Sequence, residues 1–146
     1  MNKVILALLL WCAPTTDARA DECRAIAESV VIAAESSGHD AWRLAALVVR
    51  ESGVRLDRVG KLGECGPAQV LGRYIGMTCE ELQTPDGGII GATIALRQWE
   101  LARPDADPWQ CYASGNLCEA PRSVRRLDRI ANELRALVAQ EETWAP

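Results

Sequence analysis

One acidic residue, Glu51, closes an apolar helical stretch that covers residues 41–50. Leu44, Leu47 and Val48 precede Glu51 by seven, four and three residues, so all four share one face of a helix. Because that face is the apolar one, the pattern predicts that the Glu51 carboxyl points toward the interior. A carboxyl in such a position is suited to general acid catalysis, the donation of a proton to a reacting group.

The helix end that carries Glu51 also disfavours a negative charge. Gly53 is typical of the glycine that follows the last helical turn, where the helix dipole places partial negative charge. Burial and the dipole both favour the protonated carboxyl, so we expect a raised pKa for Glu51. The alternative is a structural glutamate that reaches solvent or pairs with Arg50 or Arg55.

The remaining pattern predicts a mainly α fold in a single domain of several helices. Apolar residues recur at helical spacing, and no strand-length alternation competes with them. Residues 54–67 are rich in glycine and charge, which indicates a loop, with a short hairpin as the alternative. The expected helices cover about 21–36, 40–52, 88–101 and 121–140, with shorter ones at 67–74, 78–81 and 107–112.

The first 20 residues have the features of a secretory signal peptide. Lys3 precedes an apolar run over 4–13, and Ala18-Arg19-Ala20 fits a small-x-small cleavage site. We therefore predict an exported chain, periplasmic or secreted, that is cut near Ala20 and whose domain covers 21–146. The apolar run is shorter than the roughly 20 residues that span a bilayer, so no stable membrane span is expected in the mature chain.

Net charge and composition limit the classes of binding partner and the kinds of site that the chain could have. Loss of residues 1–20 leaves 14 basic and 19 acidic residues, a net charge of −5. This mild acidity argues against non-specific nucleic-acid binding and leaves a saccharide or a protein partner open. His39 is the only histidine and no Cys-x-x-Cys occurs, so neither a metal site nor a cofactor is expected. A serine or cysteine hydrolase is disfavoured because no nucleophile is placed with that histidine.

Five of the six cysteines remain after loss of the first 20 residues, and in an exported chain they are expected to form disulfides. Connectivity stays open from sequence alone, and the preferred pairs are Cys65 with Cys79 and Cys111 with Cys118. Cys12 leaves with the signal peptide, so Cys23 is left over as a buried thiol, a free thiol or a link to another chain. In the alternative of an uncut, membrane-attached form, Cys12 and Cys23 would be available for disulfide exchange.

Three short segments occur in this order along the chain: Glu51-Ser52-Gly53, Gly63-Glu-Cys-Gly-Pro-Ala-Gln69-Val-Leu71 and Cys111-Tyr112-Ala-Ser-Gly115. Together with the glycine-containing stretch over 87–96 and the basic last helix, the set resembles the soluble lytic transglycosylases of the lysozyme-like superfamily. The likeness runs from about Ala41 to Leu137. Those enzymes carry a Glu-Ser pair at a helix end, a Gly-Leu-Met-Gln segment and an Ala-Tyr-Asn-Ala-Gly segment. This chain departs from them at Pro67-Ala68, in place of Leu-Met, and at Ala113, in place of asparagine.

The resemblance implies a lysozyme-like domain that cleaves the β-1,4 bond between N-acetylmuramic acid and N-acetylglucosamine in peptidoglycan strands and leaves a 1,6-anhydro end. It implies that Glu51 is the single catalytic acid and base. Substrate binding would fall to Ser52, which supports the acid, to Gln69 and Leu71, which line the groove, and to Tyr112, which bonds to the catalytic carboxyl. Wall opening for a secretion, conjugation or phage apparatus is one hypothesis for the setting.

Two other functions stay open on the same residues. A lysozyme-type hydrolase would need a second carboxylate, about 5 to 9.5 Å from the first, and the candidates are Asp57 and Glu64, although their charged loop favours solvated side chains. A non-catalytic peptidoglycan-binding protein of the same fold is the third possibility, which Ala113 suggests. Tryptophans are candidates for stacking on sugars, although most are packing residues: Trp42, Trp99 and Trp109.

Overall fold

Seven α-helices make up most of the computed structural model, which describes residues 1–13 and 15–144. They are α1 (Lys3–Cys12), α2 (Asp17–Ser37), α3 (Ala41–Ser52), α4 (Cys79–Leu82), α5 (Pro85–Ala102), α6 (Pro108–Ser114) and α7 (Pro121–Trp144). Single turns of 3₁₀ helix lie at Gly72–Tyr74 and Gly115–Leu117. Within the described ranges there are isolated β-bridges but no strand. The mainly α prediction is confirmed.

Side-chain caps set where the helices near Glu51 begin and end. Asp40 starts α3 by accepting a hydrogen bond from the Arg43 amide at 2.9 Å. Gly53 ends it with a left-handed φ of +65°, and its amide donates to the Val49 carbonyl at 3.1 Å. Helix α3 is therefore capped at both ends, and Glu51 lies in its last turn.

The core is built where α3, α5 and α7 meet their neighbours. Helix α3 contacts α2 and α7, while α5 contacts α2, α4 and α6. Each large buried side chain contributes about 1.5–3 kcal/mol to folding. On α3, α5 and α7 the large, fully buried residues include Leu44, Leu47, Ile89, Leu96, Leu127 and Leu134. Since Leu44 and Leu47 share the face of Glu51, their burial fixes the inward direction of that carboxyl.

The segment between α3 and α4 doubles back on itself. Antiparallel bridges join Val59 to Cys65 and Cys65 to Val70, which is close to the hairpin alternative. The helix predicted over 67–74 is wrong except for its last turn at Gly72–Tyr74. The reason is Gln69, whose φ of +53° is incompatible with a right-handed helix.

Three disulfides close the structure. Cys65–Cys79 and Cys111–Cys118 are present as predicted, with Cα atoms 5.4 and 3.9 Å apart. In the uncut chain α1 lies against α2 and Cys12 bonds to Cys23, and the leftover Cys23 that is expected after cleavage stays a prediction. Three disulfides indicate an oxidising, extracytoplasmic environment. In the described ranges no helix combines the length and the apolar character needed to cross a membrane.

The predicted signal segment is folded in the uncut chain. Val4, Ala7 and Leu8 of α1 are buried. Arg19, in the first turn of α2, donates to the carbonyl of Gly53 at 2.7 Å and also to that of Val54. Cleavage near Ala20 would remove these contacts from the end of α3, and the cleavage itself stays a prediction.

Candidate active site

A cleft of about 500 Å³ opens at the end of α3. Its walls come from α3, from the doubled-back loop, from the second half of α5 and from α6. Four of the five residues predicted to act in catalysis or substrate binding meet in it: Glu51, Gln69, Leu71 and Tyr112. The other lining residues are Arg50, Leu62, Glu64, Val70, Tyr74, Ile75, Ala95, Gln98, Trp99, Cys111, Ala113, Ser114 and Gly115.

The Glu51 carboxyl is mostly buried in this cleft, with 25% of its side chain exposed. Burial is the main cause that raises its pKa above the ordinary value of 4.5. The charge of Glu64 raises it further, while the charges of Arg50 and Arg126 act in the opposite direction. The net effect is a raised pKa, as the sequence predicts, so the side chain can donate a proton at a pH where a solvated glutamate is ionised.

Arg50 stands beside the carboxyl. Its Nε atom is 3.5 Å from Oε1 of Glu51, and its Nη2 donates to the Ser123 hydroxyl at 3.2 Å. The ion pair that the sequence leaves open as an alternative is therefore present. Burial outweighs it, and the pKa of Glu51 stays raised.

Tyr112 contacts the backbone of the opposite wall and not the carboxyl. Its hydroxyl donates to the Ala68 carbonyl at 2.8 Å, which corrects the expected bond to Glu51. Burial first, and then the charge of Glu51, raise the pKa of the phenol. Tyr112 is therefore a neutral neighbour of Glu51 that positions the wall of the cleft.

Gln69 and Leu71 form part of that wall. The Gln69 Nε2 donates to the carbonyls of Arg58 and Gly66, at 2.9 Å each. These bonds hold the positive-φ turn, and they leave the carbonyl Oε1 of Gln69 to accept a hydrogen bond from a bound molecule. Leu71 adds an apolar, half-buried surface next to it.

Ser52 does not belong to the cleft. Only 6% of Ser52 is exposed, and its hydroxyl donates to the Val48 carbonyl at 3.1 Å and accepts from the Arg55 amide at 3.0 Å. Both bonds satisfy backbone groups at the end of α3. The substrate-binding role expected for Ser52 is corrected to a structural one, in which it holds the helix turn that carries Glu51.

Glu64 lines the cleft, although the charged loop around it in the sequence predicts a solvated side chain. It is half-buried, and its Oε2 accepts from the Leu62 amide at 2.8 Å. The side chain lies over Gly60, where an added Cβ would fall 2.1 Å from the Glu64 Cδ. Asp57, the other carboxylate considered, is exposed and outside the lining. The position of Glu64 inside the Gly63–Leu71 motif was the available signal.

Aromatic residues divide between packing and the cleft. Trp109 is 7% exposed and meets His39 edge-on at 6.3 Å, and the Arg135 guanidinium covers Trp42 at 5.0 Å. Trp99 lines the cleft. Tyr74 also lines the cleft and is 67% exposed, and the one sequence feature that points to it is its place five residues after Gln69.

The described residues hold no group of three or more metal-ligating side chains. No protein-family model, curated protein or solved structure matches the chain. The function is therefore inferred from the cleft and its residues.

Proposed function

We propose that the protein is a peptidoglycan lytic transglycosylase with Glu51 as its single acid and base. The observation that carries the proposal is the position of Glu51, a mostly buried carboxyl with a raised pKa on the wall of an open cleft. Cleavage of a glycosidic bond requires a proton for the leaving oxygen, and a carboxyl held neutral by burial is suited to supply it.

The reaction can be completed by groups of the substrate. Glu51 gives its proton to the oxygen that links N-acetylmuramic acid to N-acetylglucosamine, and the bond from that oxygen to C1 breaks. The acetamido oxygen of the muramic sugar bonds to C1 in its place. The Glu51 carboxylate then accepts the proton of the 6-hydroxyl, whose oxygen displaces the acetamido oxygen and forms the 1,6-anhydro ring. Glu51 ends protonated, and no water is consumed.

The cleft lining fits a saccharide. Sugar rings have apolar faces and polar edges, so they suit a cleft that combines aromatic and apolar walls with a few hydrogen-bonding groups. Trp99, Tyr74 and Leu71 offer aromatic and apolar contacts, and Oε1 of Gln69 offers a hydrogen-bond acceptor. An exported enzyme would meet peptidoglycan in the periplasm or outside the cell, in keeping with the two disulfides that lie beyond the predicted cut.

Mass spectrometry of the products from purified sacculi tests the proposal. Wild-type protein should release anhydro-muropeptides, which are lighter by one water than reducing muropeptides. Glu51→Gln keeps the shape but not the proton, so its rate should fall about 10²- to 10⁴-fold. Glu133→Gln, which removes an exposed carboxylate on α7, is the control and should cleave normally. Full activity of Glu51→Gln would reject the proposal, and binding of sacculi without any product would favour a non-catalytic binding protein.

A lysozyme-type hydrolase is the second candidate, and Glu64 is the observation that favours it. Glu64 and Glu51 line the same cleft, as the two carboxylates of a hydrolase must. Hydrolysis would yield reducing ends, and Glu64→Gln would then lose most of the activity. With Glu51 as single acid and base, Glu64→Gln should still produce anhydro ends at a rate within about tenfold of wild type.

A further inference from the structure

The first two turns of α7 carry three exposed arginines, Arg122, Arg125 and Arg126. Arg122 and Arg126 are four residues apart, so their side chains lie on one face of the helix. In the ranges that the structure describes, neither forms an ion pair. Their positive charges are therefore available to a bound molecule.

A hydrogen bond fixes this part of α7 at the end of the cleft. The Ser123 hydroxyl accepts from Nη2 of Arg50 at 3.2 Å, and Arg50 both lines the cleft and lies 3.5 Å from the Glu51 carboxyl. Arg126 follows Ser123 by three residues and so lies on the same side of the helix. Its proximity to the cleft agrees with its effect on Glu51, whose pKa it lowers.

The charge at this site is opposite to that of the whole chain. The protein carries a net charge of −4, yet residues 121–135 hold five arginines against Asp128 and Glu133. Asp128 is itself engaged, because Nε and Nη2 of Arg43 donate to its two oxygens at 2.9 and 3.1 Å. A local positive field beside the cleft therefore survives in an acidic protein.

We infer that Arg122 and Arg126 form a subsite for carboxylates carried by the substrate, next to the end of the cleft that holds Glu51. This inference rests on the proposed function, for which the carboxylates are those of the stem peptides on peptidoglycan strands. A guanidinium pairs with a carboxylate through two parallel hydrogen bonds. In these strands the charge is on the peptides and not on the sugar rings, so the subsite distinguishes peptide-bearing strands from neutral polysaccharides.

Binding of soluble, uncrosslinked strands tests the subsite. Fluorescently labelled strands are compared before and after their carboxylates are converted to methylamides, which removes the charge and keeps the peptides. The measurements use Glu51→Gln protein, so that strands are not cut during the titration. Amidation should raise the Kd about fivefold, which is the effect expected from loss of a partly exposed charge contact. Adding Arg126→Gln should weaken binding of native strands by a similar factor and leave binding of amidated strands unchanged.

Arg24→Gln is the matched control, because it removes the same charge from an exposed position on α2 outside the cleft. It should bind both kinds of strand as its parent does. Equal binding of native and amidated strands, or equal weakening of both by Arg126→Gln, would overturn the subsite. Cleavage of native strands by wild type, measured in parallel, tests the proposed function separately. Cleavage without charge-dependent binding removes only the subsite, whereas charge-dependent binding without cleavage removes only the transglycosylase.

Discussion

The Tyr112 hydroxyl donates a hydrogen bond to the carbonyl oxygen of Ala68, 2.8 Å away. Tyr112 belongs to α6, and Ala68 to the turn just before Gln69, so this bond joins two walls of the cleft. The phenol stays neutral, because burial and the nearby Glu51 charge raise its pKa. Tyr112 therefore acts on the geometry of the cleft and not on the proton of Glu51.

Replacing Tyr112 with phenylalanine should reduce stability without changing the pH dependence of cleavage. Tyr112→Phe leaves the Ala68 carbonyl without its partner, which should lower the free energy of unfolding by about 1–3 kcal/mol in urea titrations. The pH at which activity halves on the alkaline side should stay where it is in wild type. A shift of that pH would mean that the phenol bonds directly to Glu51. Tyr74→Phe, at an exposed position, should unfold like wild type.

Two charge-removing variants should move the pH profile in opposite directions. Activity requires protonated Glu51, so the rate should fall as the pH rises through its pKa. Glu64→Gln removes a charge that raises this pKa, and the alkaline limb should move to lower pH. Arg50→Gln removes a charge that lowers it, and the limb should move to higher pH. Initial rates on solubilised strands between pH 4 and 9, in about 50 mM salt, would measure both shifts. Shifts in the same direction would contradict the electrostatic assignment.

The buried Glu51 carboxyl should lower the free energy of unfolding of the protein at neutral pH. Its folded pKa is above the ordinary 4.5, so the folded state binds more protons than the unfolded state between the two pKa values. The free energy of unfolding of wild type should therefore decrease as the pH rises through this window. Glu51→Gln has no carboxyl to titrate, so its free energy of unfolding should not decrease in this way. Above the window, the variant should be more stable than wild type by about 1.4 kcal/mol for each pH unit that separates the two pKa values. Thermal unfolding at pH 4 and pH 7 should show the gain at pH 7 only, and a variant less stable at both would contradict it.

The features that sequence predicted well depend on local periodicity. The direction of Glu51 follows from helix phase with Leu44 and Leu47, and the end of α3 follows from Gly53, so neither needs knowledge of distant contacts. The two short-range disulfides, Cys65–Cys79 and Cys111–Cys118, were predictable for the same reason.

The features that the sequence pattern does not predict arise where the chain folds back on itself, either within the loop between α3 and α4 or between distant segments. Residues 67–71 have helix-compatible composition, yet the bridge of Cys65 to Val70 and the positive φ of Gln69 override it. The charged neighbours of Glu64 in the sequence predict a solvated side chain, and only the doubled-back loop brings Glu64 to the cleft of Glu51. The Tyr112 hydroxyl likewise finds its acceptor 44 positions away, at Ala68.

The turn that carries Gln69 should be sensitive to one glycine and tolerant at another. Gly66 and Gly63 both have left-handed φ values, +78° and +86°, so alanine costs about 1–2 kcal/mol at either. At Gly66 the added Cβ would also fall 1.9 Å from the Leu82 carbonyl oxygen, whereas at Gly63 nothing lies within 4 Å. Gly66→Ala should therefore lose about 2–5 kcal/mol in all, with loss of cleavage. Gly63→Ala should fold and cleave, and equal stability of the two variants would contradict the contact with Leu82.

Export should remove α1 before the fold can form. Ala18-Arg19-Ala20 lies inside α2 in the uncut chain, and a helical segment does not fit the extended form that proteases bind, so cleavage must occur while the chain is still unfolded. The exported protein should then start at Asp21 and carry Cys23 as its one free thiol, since the other two disulfides lie beyond the cut. Intact-mass measurement before and after maleimide treatment would show one added label. A full-length mass without label would instead mean that α1 is retained and that Cys12 holds Cys23, with the bonds from Arg19 to the end of α3 intact.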